Sequence, residues 1–395
     1  MTTYRRALEV ATASAAAAAG LALAAPPATA ALLSPGAVYV LSNQVDGNAV
    51  IAFARAADGR LSAPEGFATG GAGTGGGLGS QGAVIVDDAG RYLYAVNAGS
   101  DSITSFRITP HGLVRVDLEP SNGDRPTSVT VDGDLLCVLN AGSNEITGIR
   151  VGGGELAPIS GSTRPTSGPT AAPGQVSFTP DGDQLIVAER GAQLLGVYPV
   201  DAAGVAGSPT FVASSGAVPF GSDFDNKGHV IVSEVAGAPG GSAVSSYEIG
   251  DGDLDLISAS VPTTEGAACW IVTTTNGKFA YSGNAGTASV TGSRVGVNGL
   301  LTILDENGRT GEALVGVTDL AVSRDSQYLY GRLGGNGTHR RNLIAPVRGV
   351  TWSPAPEHAG PVDQVASVRP GRLTYACRAP SPRRPARSTR RRTTQ

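Results

Sequence analysis

Apolar and polar residues alternate along this chain in short bursts separated by turn residues. The clearest burst is Gly90–Ile108. Tyr92, Tyr94 and Val96 alternate with Leu93 and Ala95, the two-residue period of a strand. Asn97-Ala-Gly-Ser-Asp101 is turn chemistry, because Asn and Gly accept positive φ while Ser and Asp bond back to their own backbone. Ile103, Ser105 and Arg107 then alternate with Thr104, Phe106 and Ile108, which predicts a returning strand.

This unit recurs. Leu135–Ile149 is nearly a copy, and weaker copies begin at Gln184, His229, Lys278 and Gln327. The first copy is Ala37–Asn43 followed by Ala49–Phe53. With Tyr39, Tyr94, Cys137, Ile186, Ile231, Tyr281 and Tyr330 in register, the spacings are 55, 43, 49, 45, 50 and 49 residues. Seven repeats of that length, each with about four short strands, predict an all-β fold, a seven-bladed β-propeller over residues 36–338. No 3.6-residue periodicity is sustained after the N-terminus. The first repeat opens on what is the second strand of later repeats, so its innermost strand is missing. Closing the ring without an open edge requires the C-terminal end to supply it.

Composition adds three features. Arg5 and Arg6, the alanine-rich run from Ala11 to Ala25 and Ala28-Thr29-Ala30 predict a signal peptide over residues 1–30, against the alternative of an alanine-rich membrane anchor, for which the run is short and weakly apolar, and hence a secreted protein with no membrane span after cleavage; a monomer is expected. Cys137, Cys269 and Cys377 are an odd number; Cys137 and Cys269 fall in distant repeats and read as small buried hydrophobes, with no CxxC or Cys/His cluster to hold zinc. Beyond Thr338 the composition changes: residues 339–395 carry 12 of the 29 basic residues, all Arg, against two acidic ones, Glu357 and Asp363. This Arg/Pro-rich tail is expected to be disordered or out of frame, since such sequence is what GC-rich DNA yields in a shifted reading frame. The competing reading is a basic tail for an acidic surface. Asn342–Pro346 and Leu373–Tyr375 are weak strand candidates within it. Nothing else supports a nucleic-acid partner.

Propeller geometry narrows the search for chemistry. In each blade the start of the inner strand and the turn after the second strand share one face. Asn97, Asn140, Glu189, Glu234 and Asn284 end second strands there; Gln81, Arg125, Gln175, Phe220 and Asp319 lie near inner-strand starts. Together they are expected to ring one mouth of the channel. The plainer readings are turn capping for the asparagines and solvated loop carboxylates for the glutamates. Glu234 and Glu189 are the candidate acid and base; Asn97, Asn140, Gln175, Phe220, Asn284 and Asp319 are candidate ligand contacts. His111 and His229 fall in turns away from that mouth, so no Ser-His-Asp arrangement is expected.

The repeated Asp-Gly…Tyr-Leu-Tyr…Asn-Ala-Gly units, Pro219-Phe-Gly221 with Val232-Ser-Glu234, Cys269-Trp270 and Asp319-Leu-Ala-Val-Ser323 resemble the propeller lactonase family, which includes 6-phosphogluconolactonases and 3-carboxymuconate cyclases. The resemblance covers about residues 36–337. It implies seven blades and a metal- and cofactor-free hydrolysis of a lactone or sugar-acid ester. The family's enzymes carry Pro-His at one inner-strand start, then Pro-Arg-His and an Asn-Glu-Leu turn in the next blade. Laid on this sequence, the first histidine falls at Gly174, the Arg-His pair at Phe220-Gly221, and the turn aspartate of the first blade near Gln193. Only the glutamate remains, as Glu234, the expected general base. Loss of both imidazoles and the guanidinium removes proton-transfer groups and an anion clamp. The alternative is therefore a non-catalytic propeller holding a polymer, peptide or cell-envelope ligand.

Overall fold

The alternating bursts become antiparallel strands, and the turns between them keep neighbouring strands adjacent. The computed structural model describes residues 36–236, 240–313 and 316–334, and the strand segments 342–346, 353–354 and 364–367. Their strands form seven separate antiparallel sheets of four or five strands, and no helix occurs among the described residues. This is the seven-bladed propeller. The predicted signal peptide, Leu373–Tyr375, Cys377 and the Arg-rich stretch after it lie outside the described residues.

The inner strands run Val84–Val86, Pro126–Asp132, Pro173–Phe178, Pro219–Phe224, Ala268–Thr273 and Val317–Val322 in blades two to seven. Each touches the next around the axis. The second strands run Ala37–Leu41, Tyr92–Asn97, Leu135–Asn140, Gln184–Glu189, Val230–Glu234, Phe279–Asn284 and Tyr328–Leu333. Blade one takes its inner strand from the C-terminal side: Gln364–Ser367 pairs antiparallel with Ala37–Leu41, Val38 opposite Ser367 and Leu41 opposite Gln364. It also touches the inner strands of blades two and seven, which completes the ring. Asn342–Pro346 and Ser353–Pro354 form the third and outer strands of blade seven. The sheets thus reach past the boundary at 338 drawn from composition. The reason is that these segments are short and flanked by proline, so their alternation is faint in the sequence.

The core lies between blades. The seven residues set in register by the repeat are all buried, from 0% exposed for Tyr39, Ile186, Ile231 and Tyr281 to 3% for Tyr94 and Cys137. Full removal from water of an aliphatic side chain such as Ile186 or Ile231 contributes roughly 1.5–3 kcal/mol. Cys137 and Cys269 are free and buried, as expected. At the seam between first and last blades, Val38, Val40, Ile51 and Phe53 pack against Ala321 and Tyr330. The Tyr330 hydroxyl donates to Gly59 O at 3.2 Å, and Arg55 meets Asp325 at 3.4 Å.

Candidate functional site at the upper mouth

Pro126 pairs with Asn140, Pro173 with Glu189, Pro219 with Glu234 and Ala268 with Asn284. Inner-strand starts and second-strand ends therefore do share one face, here called the upper mouth. The residue just before each of these four inner strands sits in the left-handed region: Arg125 (φ 52°), Ala172 (45°), Val218 (57°) and Ala267 (55°). A register shift follows each one. Such bulges re-aim side chains at a rim, and a β-branched residue such as Val218 at positive φ is unusual and strained.

The five second-strand ends are not presented to that mouth. Asn97, Asn140, Glu189 and Asn284 are fully buried and Glu234 is 2% exposed. The asparagine amides donate sideways to the third strand: Asn97 to Thr104 at 2.9 Å, Asn140 to Thr147 at 3.2 Å and Asn284 to Thr291 at 2.9 Å. Glu189 accepts from the Ser167 amide at 3.1 Å and from its hydroxyl. Burial holds the Glu189 carboxyl above its usual range, although the Ser167 bonds pull the other way. Glu234 Oε1 accepts from the Gly216 amide at 2.8 Å and the Ser245 hydroxyl at 2.5 Å. Its Oε2 is buried with no hydrogen-bond partner among the described residues. Both glutamates thus tie the loop arriving from the preceding blade to the blade they end, and neither is a solvated loop carboxylate.

Gln175 likewise serves the wall of the channel. An inner strand is a sheet edge, and its outward N–H and C=O groups need partners. Gln175 Oε1 accepts from Ser222 N at 2.6 Å and its Nε2 donates to Ser222 O at 3.0 Å. Ser128 and Thr130 accept from the amides of Val176 and Phe178, and Asp223 Oδ2 accepts from Thr273 N at 2.7 Å. Asp319 is 2% exposed, accepts from Leu320 N at 2.8 Å and lines the channel. The channel cavity is about 360 Å³, with Gln81 and Gln175 at one end and Asp132, Pro180 and Asn226 at the other.

Sequence reading missed what closes the upper end. The segment Leu78–Gly82, at the end of the glycine-rich connection between blades one and two, crosses the mouth. Gln81 Nε2 donates to Ile271 O at 2.8 Å and its Oε1 accepts from Ile271 N at 3.0 Å, on the far side in blade six. Gln81 N donates to Gly174 O in blade four at 3.0 Å. Ser80 donates to Thr127 O in blade three, and Trp270 Nε1 donates to Ser80 O at 3.0 Å. This plug fills the space where the family resemblance puts its imidazoles. A Cβ on Gly221 would lie 2.3 Å from Gln81 Oε1 and 2.9 Å from Cys269 O; one on Gly174 would lie 2.9 Å from Phe220 O.

Around the plug sit Phe220, Cys269 and Trp270, buried together. The Phe220 and Trp270 rings meet edge-on at 5.3 Å. Burial pushes the Cys269 thiol up to about 12, which keeps it un-ionised and a poor nucleophile. Arg190, which the sequence reading did not single out, lies over Phe220 with its Cζ 5.2 Å from the ring centroid. No group of three or more metal-ligating side chains occurs among the described residues.

Comparison with known proteins agrees with this geometry. Residues 37–167 match the family model "Lactonase, 7-bladed beta-propeller". The match covers blades one to three and stops before blades four and five, where Gly174 and Phe220-Gly221 stand. No curated protein matches the sequence. Three solved structures share the fold. The periplasmic gluconolactonase of Pseudomonas aeruginosa is 18% identical with a TM-score of 0.64, over 84% of this chain and 98% of its own. A candidate 6-phosphogluconolactonase of Bacteroides fragilis is 16% identical with a TM-score of 0.60, over 84% and 98%. A protein of unknown function from Desulfotomaculum acetoxidans is 13% identical with a TM-score of 0.65, over 85% and 99%. The chain is thus a seven-bladed propeller similar to the propeller lactonase family, in sequence across its first three blades and in fold across the described residues.

Proposed function

We propose that this protein is an exported, lactonase-like propeller whose upper mouth takes a small lactone or sugar acid, and that it holds this ligand rather than hydrolysing it. The observation that carries the second half is Gln81, which is bonded across the mouth to Ile271 and whose Oε1 lies 2.3 Å from where a Cβ would stand on Gly221, a position the family resemblance gives to histidine. Both positions that the resemblance gives to histidine are glycine, so no imidazole stands there to relay a proton during ring opening. The family match over residues 37–167 supports the lactonase-like half. Export rests on the N-terminal sequence alone.

One observation favours hydrolysis as a second reading. Glu234 Oε2 is buried and accepts no hydrogen bond, so a displaced 214–216 loop would leave a carboxylate free to act as base. A lactone panel separates the readings: gluconolactone, its 6-phosphate and an unsubstituted γ-lactone, followed by acid release at constant pH. The binding reading expects rates equal to the spontaneous background, with saturable protection of the melt by at least one lactone or its acid. Turnover well above background that Glu234→Gln abolishes would establish the hydrolytic reading instead.

A further inference from the structure

Arg190 follows the buried Glu189, on the turn that leaves the second strand of blade four. Its Nε donates to Ala172 O at 3.0 Å, which fixes the plane of the guanidinium. One face lies over the Phe220 ring at 5.2 Å. The plug passes at its other end: a Cβ on Gly79 would be 3.4 Å from Nη1. A carbonyl, an aromatic face and a glycine backbone therefore hold this side chain in one place. Among the described residues its two terminal nitrogens make no hydrogen bond to protein and no carboxylate pairs with it. A half-buried guanidinium left so is costly unless something negative meets it.

Arg125 brings a second charge to the same mouth. It is exposed, directly precedes the inner strand of blade three with φ 52°, and also lacks a carboxylate partner among the described residues. Its charge is near enough to weigh on Arg190, whose pKa burial already lowers. Asp101 Oδ1 accepts from the Arg125 backbone amide at 2.7 Å, but no carboxylate forms an ion pair with either guanidinium among the described residues. The family resemblance assigns an arginine to the position of Phe220; here a guanidinium lies across that residue's ring, delivered from the neighbouring blade.

We propose that Arg190, backed by Arg125, forms an oxyanion site at the upper mouth, taking the carboxylate of a sugar acid or the phosphate of a phosphorylated one. The planar fork of Arg190 offers two parallel N–H groups, the geometry that either oxyanion accepts. The buried Phe220 ring beneath it, braced edge-on by Trp270, holds the fork in place. This inference rests on the reading of the upper mouth as the binding face.

The test uses anions that are not lactones, so its failure leaves the outcome of the lactone panel standing. Trp270 packs edge-on against the Phe220 ring beneath Arg190, and its emission is followed in a Trp352→Phe background. Sodium gluconate, inorganic phosphate and neutral glucose are titrated into the full-length protein. A saturable change with gluconate or phosphate, weakened by added salt and absent with glucose, is expected. Gluconate alone would assign the site to carboxylates; phosphate alone would assign it to phosphate esters. Arg190→Gln is expected to raise the Kd at least tenfold, or about 1.4 kcal/mol, with the melt unchanged. Arg125→Gln, at an exposed position, gives a smaller loss and serves if Arg190→Gln folds poorly. Absence of saturable binding by both anions, equal binding of glucose, or wild-type affinity in both variants would overturn the proposal.

Discussion

Blades two to six end their second strands on a residue whose side chain does a joiner's task. Asn97, Asn140 and Asn284 reach Thr104, Thr147 and Thr291, always seven residues on. That Asn-to-Thr spacing is present in the sequence, and it signals turn-closing bonds; the ring of Asn around a mouth was the less physical reading. Glu189 and Glu234 stand at the equivalent position in blades four and five but bond loop amides and serine hydroxyls instead. Their burial was not legible, because the loops that cover them come from the preceding blade. Burial raises the Glu189 carboxyl, so the folded chain holds that proton more tightly than the unfolded one. Stability from this group is therefore fully present below the unfolded carboxyl value of about 4.3 and is lost as pH rises through the raised folded value. Glu189→Gln keeps an acceptor for the Ser167 amide and removes the charge. It should melt about 2–4 °C above wild type at pH 7, with the difference closing toward pH 4. Melts recorded from pH 4 to 8 check this; a difference that stays constant with pH would show that burial of the charge is not the cause.

The innermost strands face a harder problem than the other strands, since each is an edge. Side chains of neighbouring blades solve it. Gln175 brackets both polar groups of Ser222, and Asp223 and Thr130 take amides of the next strand. Gln81 does the same for Ile271 from across the channel, which joins blade two to blade six. The strand order and the shared face of starts and ends followed from the repeat, because hairpin connections leave one way to fold each unit. The plug did not, because a glycine-rich connection carries no periodicity and its role depends on what it touches. Gln81→Ala would leave the N–H and C=O of the buried Ile271 unpaired, at about 1–3 kcal/mol for each group. A drop in Tm of about 4–8 °C is expected. Gln81→Asn, one methylene shorter, should recover little of it. An alanine variant that melts like wild type would mean the bridge contributes nothing to the closed mouth.

At the scale of the whole ring, stability depends on how the last blade meets the first. Blade seven and blade one share apolar contacts, the Tyr330–Gly59 hydrogen bond and the Arg55–Asp325 pair. Among the described residues, only the strand Gln364–Ser367 pairs with the channel-side edge of Ala37–Leu41, a strand buried along its whole length. The need for a C-terminal closing strand was legible from the missing first strand of blade one. Its place was not, because four residues without a clear alternation leave no pattern to read, and the change of composition after Thr338 drew the boundary too early for the strands that follow. Two truncations test the closure. A chain ending at Asp363 loses the closing strand, opens a long apolar edge and should lose cooperative melting and aggregate. A chain ending at Pro370 keeps every pairing described, and should melt within about 2 °C of the full-length protein, a change worth no more than about 1 kcal/mol. If the Asp363 chain melts as cooperatively as the Pro370 chain, the ring does not need its fourth strand in blade one, and the apolar seam, the Tyr330–Gly59 hydrogen bond and the Arg55–Asp325 pair suffice to close it.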